Sequence, residues 1–594
     1  MHTPFLHQQR RNAVLLCTLI VGGTCMARPP KVVPTFECLS LYWNTEHGSP
    51  DNTCRVRYRK VGTAQWSTAL PLWFDRRGPE SFRYVHDPDR HTRHRGDSIS
   101  VGDFARQYRG SIVDLQPGTQ YEIELHLEQG QARELVRART WDHEFPTGRT
   151  IILPEQSGRT LRIDQSGTSA AYALYTHQPG SEATIDVAGK SEHCVEVRAS
   201  YVILRGLTCR NAGTHGIRIY DDCHDVVIDR CDISGWGRPD ELEGSRWGHN
   251  MDAAVYARES AMFVPSIERI IVQRCRIHHP RHDTNSWSEY RKRLDPKRND
   301  KRWHPNGPQA ITLYDTLGNH VIRYNDIWSD ADHYYNDIIG GGHNFSALGA
   351  PNRDSDIYGN RLSHCWDDAI ESEGANCNVR IWGNYISRSM VAIASAATHA
   401  GPLYIWRNVT AVSQRRPDEL SGGPFLKAGI GSIFGGGRTY VFHNTLLQPG
   451  VTEITAGGTW QGHGLGLSDW GGALINHVSR NNIWHVYQQR GYSIQERRDE
   501  CRDNDYDYDL YSGRVIPANR HQAHGMHGTP RYDSAAPSGR YPLAADSPGR
   551  DAALAIPNFN DHYAGAGPDI GAFETDGRPL EFGVGAYGGA DRPH

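Results

Sequence analysis

The sequence predicts an all-β chain in two parts, a small sandwich-like domain followed by a long stack of short coils. Three observations predict it. Segments such as LSLYW and CRVRYRK, early in the chain, alternate apolar and polar side chains as half-buried strands do. From about residue 145 one short phrase, apolar-x-x-Asn-x-apolar, recurs many times. Composition agrees, with 61 Gly, 15 Trp and 28 Tyr against only 6 Met. At 594 residues the chain exceeds one ordinary core, so several domains or a repeat are required. A net charge of −4 gives no field that points to nucleic acid or an anionic membrane.

The N-terminus reads as an export signal over residues 1–27. Arg10 and Arg11 precede AVLLCTLIVGG, an apolar run too short to span a bilayer, and small residues lead to a cut after Ala27. No later segment is apolar enough to be transmembrane, so the mature chain is expected to be secreted or periplasmic. Cys17 and Cys25 leave with the signal, and ten of the 12 cysteines remain. In an oxidising compartment Cys38 and Cys54, flanking a strand pair, are the best candidates to form a disulfide. No spacing matches a CxxC site.

Residues 34–141 read as the sandwich. LQPGTQYEIEL sets a Pro-Gly turn just before a tyrosine-bearing strand. With Trp43, Tyr58 and Trp66, and with Leu115, Pro117, Gly118, Thr119 and Tyr121 at the corner, this domain resembles fibronectin type III. The 75–105 stretch is a charged, His- and Arg-rich excursion. A spacer or docking role is expected for the whole domain.

The repeat occupies residues 145–500. VIRYNDI ends a unit at Asn325, DIYGNRL at Asn360, RIWGNYI at Asn384, YIWRNVT at Asn408 and YVFHNTL at Asn444. Earlier copies put Cys231 and Cys275 in that slot. Asn360, Asn384 and Asn408 are 24 residues apart, and longer intervals imply loops inserted into a constant coil. A unit this short cannot bury its own apolar side, so units must stack. The pattern resembles the right-handed parallel β-helix of the pectin-lyase-like superfamily. The full expectation is therefore a right-handed parallel β-helix preceded by a small fibronectin type III-like β-sandwich. In such a coil the Asn would take the left-handed turn conformation and stack in an amide ladder. SPGRDAALAIP and GPDIGAFE, within residues 501–594, resemble a closing cap.

Alignment on the Asn slot superposes DAIESEG (368–374) on VAIASAA, QAITLYD and HGIRIYD. Ile370, Ile393, Ile311 and Ile217 then share an inward column, and alternation sends Glu371 and Glu373 outward together. Arg218 and Tyr220, Thr312 and Tyr314, and Ala394 and Ala396 occupy equivalent places, as do Tyr256 and Arg258 with one insertion. Polar residues before each strand, among them His215, Asn250, Asp252, Asn306, His343, Asn344, Asp367 and Asp368, would form a second rim. Two long insertions, 278–306 and 330–352, border this patch; loops on a rigid scaffold are where binding residues concentrate.

Four carboxylates, Asp367, Asp368, Glu371 and Glu373, lie within seven positions. A solvated acidic patch is the plain alternative, but Arg and Tyr on adjacent rungs fit a groove better. Acids stacked this closely should include at least one with a raised pKa. A raised acid beside an ionised carboxylate is the equipment for cleaving a glycosidic bond. The favoured expectation is an exported enzyme acting on a polysaccharide or oligosaccharide as a carboxylate-driven glycoside hydrolase. Asp367, Asp368, Glu371 and Glu373 are its catalytic candidates, and Arg218, Arg258, Tyr314, His343, Asn344 and Asp337 its substrate-binding ones. Neither nucleic acid nor a membrane span is expected, and this reading requires no cofactor.

The alternative is a Ca2+-assisted lyase on a uronate glycan, with Glu371, Glu373 and Asp367 as metal ligands. ESE resembles the calcium-binding strand of the chondroitinase B and alginate lyase family. That family carries a lysine a few residues on, where this chain has Asn376 and Asn378. Lys427, Arg218, Arg258, Tyr314 and His343 are the groups left for proton abstraction. A third alternative is a non-catalytic carbohydrate-binding or adhesin-like β-helix. In the 330–352 loop, Asp332 and His333 join His343 and Asp337 as candidates for the same site.

Overall fold

The computed structural model describes residues 29–594 apart from 79–82, 85–98, 101–103, 105, 131, 241–243, 259–265, 290, 293–300, 303, 343–348, 396–397, 416–422, 429–434, 448–463, 487–490, 538, 590–591 and 593–594. The export signal, His343 and Asn344 lie outside the described residues.

Strands Lys31–Pro34 to Arg133–Arg139 form the antiparallel N-terminal domain, in which Cys54–Lys60 pairs with Gln120–Leu127 along its whole length. The Tyr121 hydroxyl accepts the Gln116 N–H at 2.9 Å, which pins the turn before its strand. Cys38 and Cys54 do not pair. Cys54 sits in the domain's own core, whereas Cys38 packs with Phe36 and Val113 against the next domain, and all ten described cysteines are free thiols.

From Thr147–Ile152 onward every rung adds one strand to each of three parallel sheets of 12, 13 and 12 strands. This is a parallel β-helix. Its last complete rung is Asp505–Asp507, Leu510–Tyr511 and Arg514–Ile516, and Met526–His527 adds one more strand to the second sheet, so the coil continues past residue 500. The apolar column is present as read: Ile217, Val255, Ile311, Ile339, Ile370, Ile393 and Leu426 register one on another, all within the coil's core. Ile339 marks a rung inside the 330–352 insertion, where Ile339–Gly340 is too short to show a period.

The Asn slot forms a ladder. Asn360 Oδ1 accepts both the N–H and the Nδ2 of Asn325, at 3.0 and 2.9 Å, and Asn384, Asn408, Asn444 and Asn482 repeat the pattern. Asp509 ends it, and Cys275 Sγ substitutes at the start by accepting the Cys231 N–H. The left-handed residue is the one before each Asn: Tyr324, Gly359, Gly383, Arg407 and His443. The Asn itself is spent on hydrogen bonds, so its neighbour makes the bend.

The N-terminal domain lies on the first sheet of the coil, where Arg380 Nη1 donates to Ser40 Oγ at 2.6 Å and Tyr42 donates to Asp354 at 2.6 Å. The C-terminal segment is not confined to the end of the coil. It returns along it, with Phe559 against Tyr404, Trp406 and Phe442 and Asn558 bonded to Val113 and Tyr58 of the N-terminal domain. Among the described residues no helix is long and apolar enough to cross a membrane.

Candidate active site: a buried acid centre with one lysine

The acids gather on the third sheet. The register from Ile339 to Ile370 places Asp337 and Asp368 in one column on consecutive rungs, next to Gln309 on the rung before. Glu371 projects from the same strand as Asp368, and Glu373 from the turn that follows. Asp337, Asp368 and Glu371 each present a carboxylate oxygen, all within 4.8 Å of one another. Five carboxylates, Asp337, Asp367, Asp368, Glu371 and Glu373, are buried, the most exposed only 6%. A solvated acidic patch is therefore excluded.

Small neighbours make this possible. A Cβ on Gly340 would lie 3.0 Å from Glu371 Oε2, so a larger residue there would press on that oxygen. Ala394 follows Glu371 in its column, and Lys427 follows Ala394. The lysine reaches back over the alanine. Its Nζ lies 2.5 Å from Asp368 Oδ2 and 3.3 Å from Glu373 Oε1.

Each acid is oriented separately. Asp337 Oδ2 accepts from Gln309 Nε2 at 2.9 Å and Asn336 Nδ2 at 3.0 Å, and its Oδ1 accepts the Asp368 N–H at 3.1 Å. Asp367 Oδ2 lies 3.1 Å from His304 Nε2 at the rim. Trp366 stacks on Tyr334 at 3.9 Å and braces the strand entry. Asp368 Oδ1 is buried with no hydrogen-bond partner among the described residues.

Burial, and then the neighbouring acids, push Asp337, Asp367 and Glu371 well above the ordinary carboxylate range. Burial acts to lower Lys427, but Asp368, Glu373, Asp367 and Glu371 outweigh it and hold the ammonium charged. The set is three carboxylates around a point, Asp337, Asp368 and Glu371, one with an unmet buried oxygen, and hard oxygens throughout. That donor set fits a divalent cation of the calcium type, held by Asp337, Asp368 and Glu371.

Asp337, placed by sequence among the substrate binders, is a member of the acid centre itself. Arg218 and Arg258 do not reach it. Arg218 shares the column of Glu371 but stands four rungs away, about 19 Å at the usual strand spacing. Tyr314 is nearer, its ring against Gly342, where a Cβ would collide at 1.7 Å. Asp332 and His333 belong to a separate surface group, with His333 Nδ1 2.7 Å from Asp330. Asn376 and Asn378 are structural: Asn376 closes the turn on Ser372, and Asn378 bonds Ser111 of the N-terminal domain. The column rule, carried two rungs on to PFLKA, would have placed Lys427 beside the acids. Gln309, Asn336 and His304 carried no signal of their own.

No protein-family model matches the sequence, and no curated protein matches it. Among solved structures, one titled "Crystal structure of pectate lyase Pel9A" is similar with a TM-score of 0.37 and 14% identity, over 72% of this chain and 86% of that one.

Proposed function

We propose that this protein is an exported polysaccharide lyase that cleaves a uronate-containing glycan with help from a divalent cation. The observation that carries the reading is the convergence of Asp337, Asp368 and Glu371 within 4.8 Å, with Lys427 Nζ 2.5 Å from Asp368. A cation held there would supply positive charge to the uronate carboxylate and make the adjacent C–H more acidic. Lys427 is the base beside it. Once the acids that hold its proton are neutralised, its proton affinity falls towards that of a working general base. It takes the proton α to the carboxylate, the β C–O bond breaks, a C=C bond forms, and the leaving oxygen is protonated from water. Gln309 and Asn336 fix Asp337, and Trp366 with Tyr334 keeps the strand in place.

The hydrolase reading is less well supported. It needs two carboxyl groups facing one another across the scissile bond, about 5–5.5 Å or about 6.5–9.5 Å apart. Here the acids crowd one another and an ammonium bridges Asp368 and Glu373. The tyrosine corner supports a fibronectin type III-like reading of the N-terminal domain, with a docking role.

The test is a panel of acidic and neutral glycans, followed by ultraviolet absorbance of unsaturated uronate and by reducing-end assay. The expected result is both signals in calcium, neither in EDTA, and a loss of at least a thousandfold in Lys427→Ala with the fold intact. Reducing ends without ultraviolet absorbance would return the site to hydrolysis. No cleavage of any glycan would leave a binding protein.

A further inference from the structure

The proposed chemistry leaves unused a run of side chains on the same sheet, on the rungs before the acid centre. The Glu371 column runs back through Gly340, Thr312 and Tyr256 to Arg218, and the column beside it carries Tyr314, Arg258 and Tyr220. Arginine and tyrosine interleave. The Arg218 guanidinium lies 4.9 Å from the Tyr220 ring centre and 4.6 Å from that of Tyr256, and Arg258 lies 4.3 Å from that of Tyr314. His215 stacks on Tyr256, their ring centres 3.9 Å apart.

Stacking alone would make this a brace between rungs. The charges do not fit that role. Two arginines on the first sheet are matched by acids, Arg205 to Asp229 at 2.7 Å and Arg269 to Asp225 at 2.8 Å. Arg218 and Arg258 form no ion pair among the described residues, and Arg218 Nη1 is buried without a partner. Two guanidiniums, preorganised on aromatic faces and acted on by Asp221 and Asp315 without a contact ion pair to either, are arranged to receive anions that come from outside. The tyrosine faces suit sugar rings.

We propose that this ladder is a binding track for an acidic polysaccharide, entering the acid centre from the N-terminal rungs. Arg218 and Arg258 take anionic groups of successive sugars, and Tyr220, Tyr256 and Tyr314 provide stacking faces. The track spans about 19 Å from Arg218 to Glu371. Its link to cleavage rests on the lyase reading; its capacity to bind does not. Carboxylate and sulfate ester groups share the required chemistry.

Affinity electrophoresis of the full chain in EDTA tests it, using polygalacturonate, alginate, chondroitin sulfate, dextran and single-stranded DNA. Retardation by a polyuronate or by the sulfated glycan is expected, with the two arms separating carboxylate from sulfate recognition. Arg218→Gln/Arg258→Gln should weaken that binding at least tenfold and flatten its salt dependence. In calcium it should raise KM for long chains far more than KM for the shortest cleaved oligomer. Arg258→Lys alone, at an exposed position, gives the same direction with less risk to folding. Binding of parent and variants to acidic glycan with equal affinity would overturn the track, as would retardation by dextran or DNA as strong as by acidic glycans. Binding that depends on both arginines, with no cleavage in calcium, would overturn the lyase reading and keep the track.

Discussion

Two places in this molecule bury clustered carboxylates, and they are built in opposite ways. Where the N-terminal domain meets the coil, the buried acids face arginines, although burial still raises the Glu37 and Asp354 carboxyls. Asp356 accepts from Arg380 Nε and from Thr35 Oγ1, each at 2.5 Å, and Glu37 lies 3.0 Å from Arg592. Asp75 lies against Arg109 and Arg77; burial acts to raise its pKa, and the two arginines outweigh it and bring it below the usual range. At the acid centre five buried carboxylates surround one lysine, with a histidine at the rim. Matched charge holds two domains in register. Surplus charge of one sign holds nothing together by itself and is retained for what it can bind.

Breaking the matched set should give the largest effect. Arg380→Met leaves Asp356 buried without its cation, which costs about 3–5 kcal/mol. Urea denaturation should show the loss, and Asp356→Leu in the same chain should recover most of it. At the acid centre the sign reverses: Asp368→Asn, assayed in EDTA, should leave stability unchanged or raised. Equal destabilisation by both changes would erase the distinction.

The difference between the two sets was only half legible in the sequence. The acids stood out because DDAIESE compresses them into one strand, and the Ile column told which of them face outward. Asp337 was harder to place, since Ile339–Gly340 is two residues long and a strand that short has no period to read. Lys427 is 54 residues from Glu373 in sequence, and only the rung register brings it near. The partners of Asp356 belong to another domain, and a contact between domains leaves no periodic trace in either. The coil itself was plain, because the Asn slot repeats wherever the ladder needs it. The Cys38–Cys54 pairing failed because closeness along the chain does not reveal that two strand faces point into different cores.

The surplus should also appear as cation-linked stability. Calcium at about 100 times its dissociation constant adds about 2.7 kcal/mol to a protein that binds it only when folded. Scanning calorimetry of the parent should show a rise in Tm with calcium that EDTA reverses. Asp337→Asn should lose most of that rise, while Asp75→Asn, at the matched set, should keep it on a lower baseline. A calcium shift that survives Asp337→Asn would place the cation elsewhere.

The smallest effect is a slope against pH. Asp337, Asp367 and Glu371 are raised when folded, by burial and then by one another, whereas unfolded carboxylates titrate near pH 4. Between those values the folded chain holds more protons than the unfolded one, so stability falls as pH rises, by about 1.4 kcal/mol per pH unit for each proton of difference. In EDTA the parent should therefore lose stability from pH 5 towards 8. Other raised groups, such as Asp283 at about 6, contribute to the same window, so the informative quantity is a difference between chains. Glu371→Gln removes one raised acid and relieves the rest, and its slope in EDTA should be shallower than the parent's. Calcium should flatten the parent to the same degree, because a bound divalent charge does the work of the missing protons. Parallel slopes for parent and Glu371→Gln would show that Glu371 ionises as freely in the fold as outside it, and the contrast with Asp75 would then lie in geometry alone.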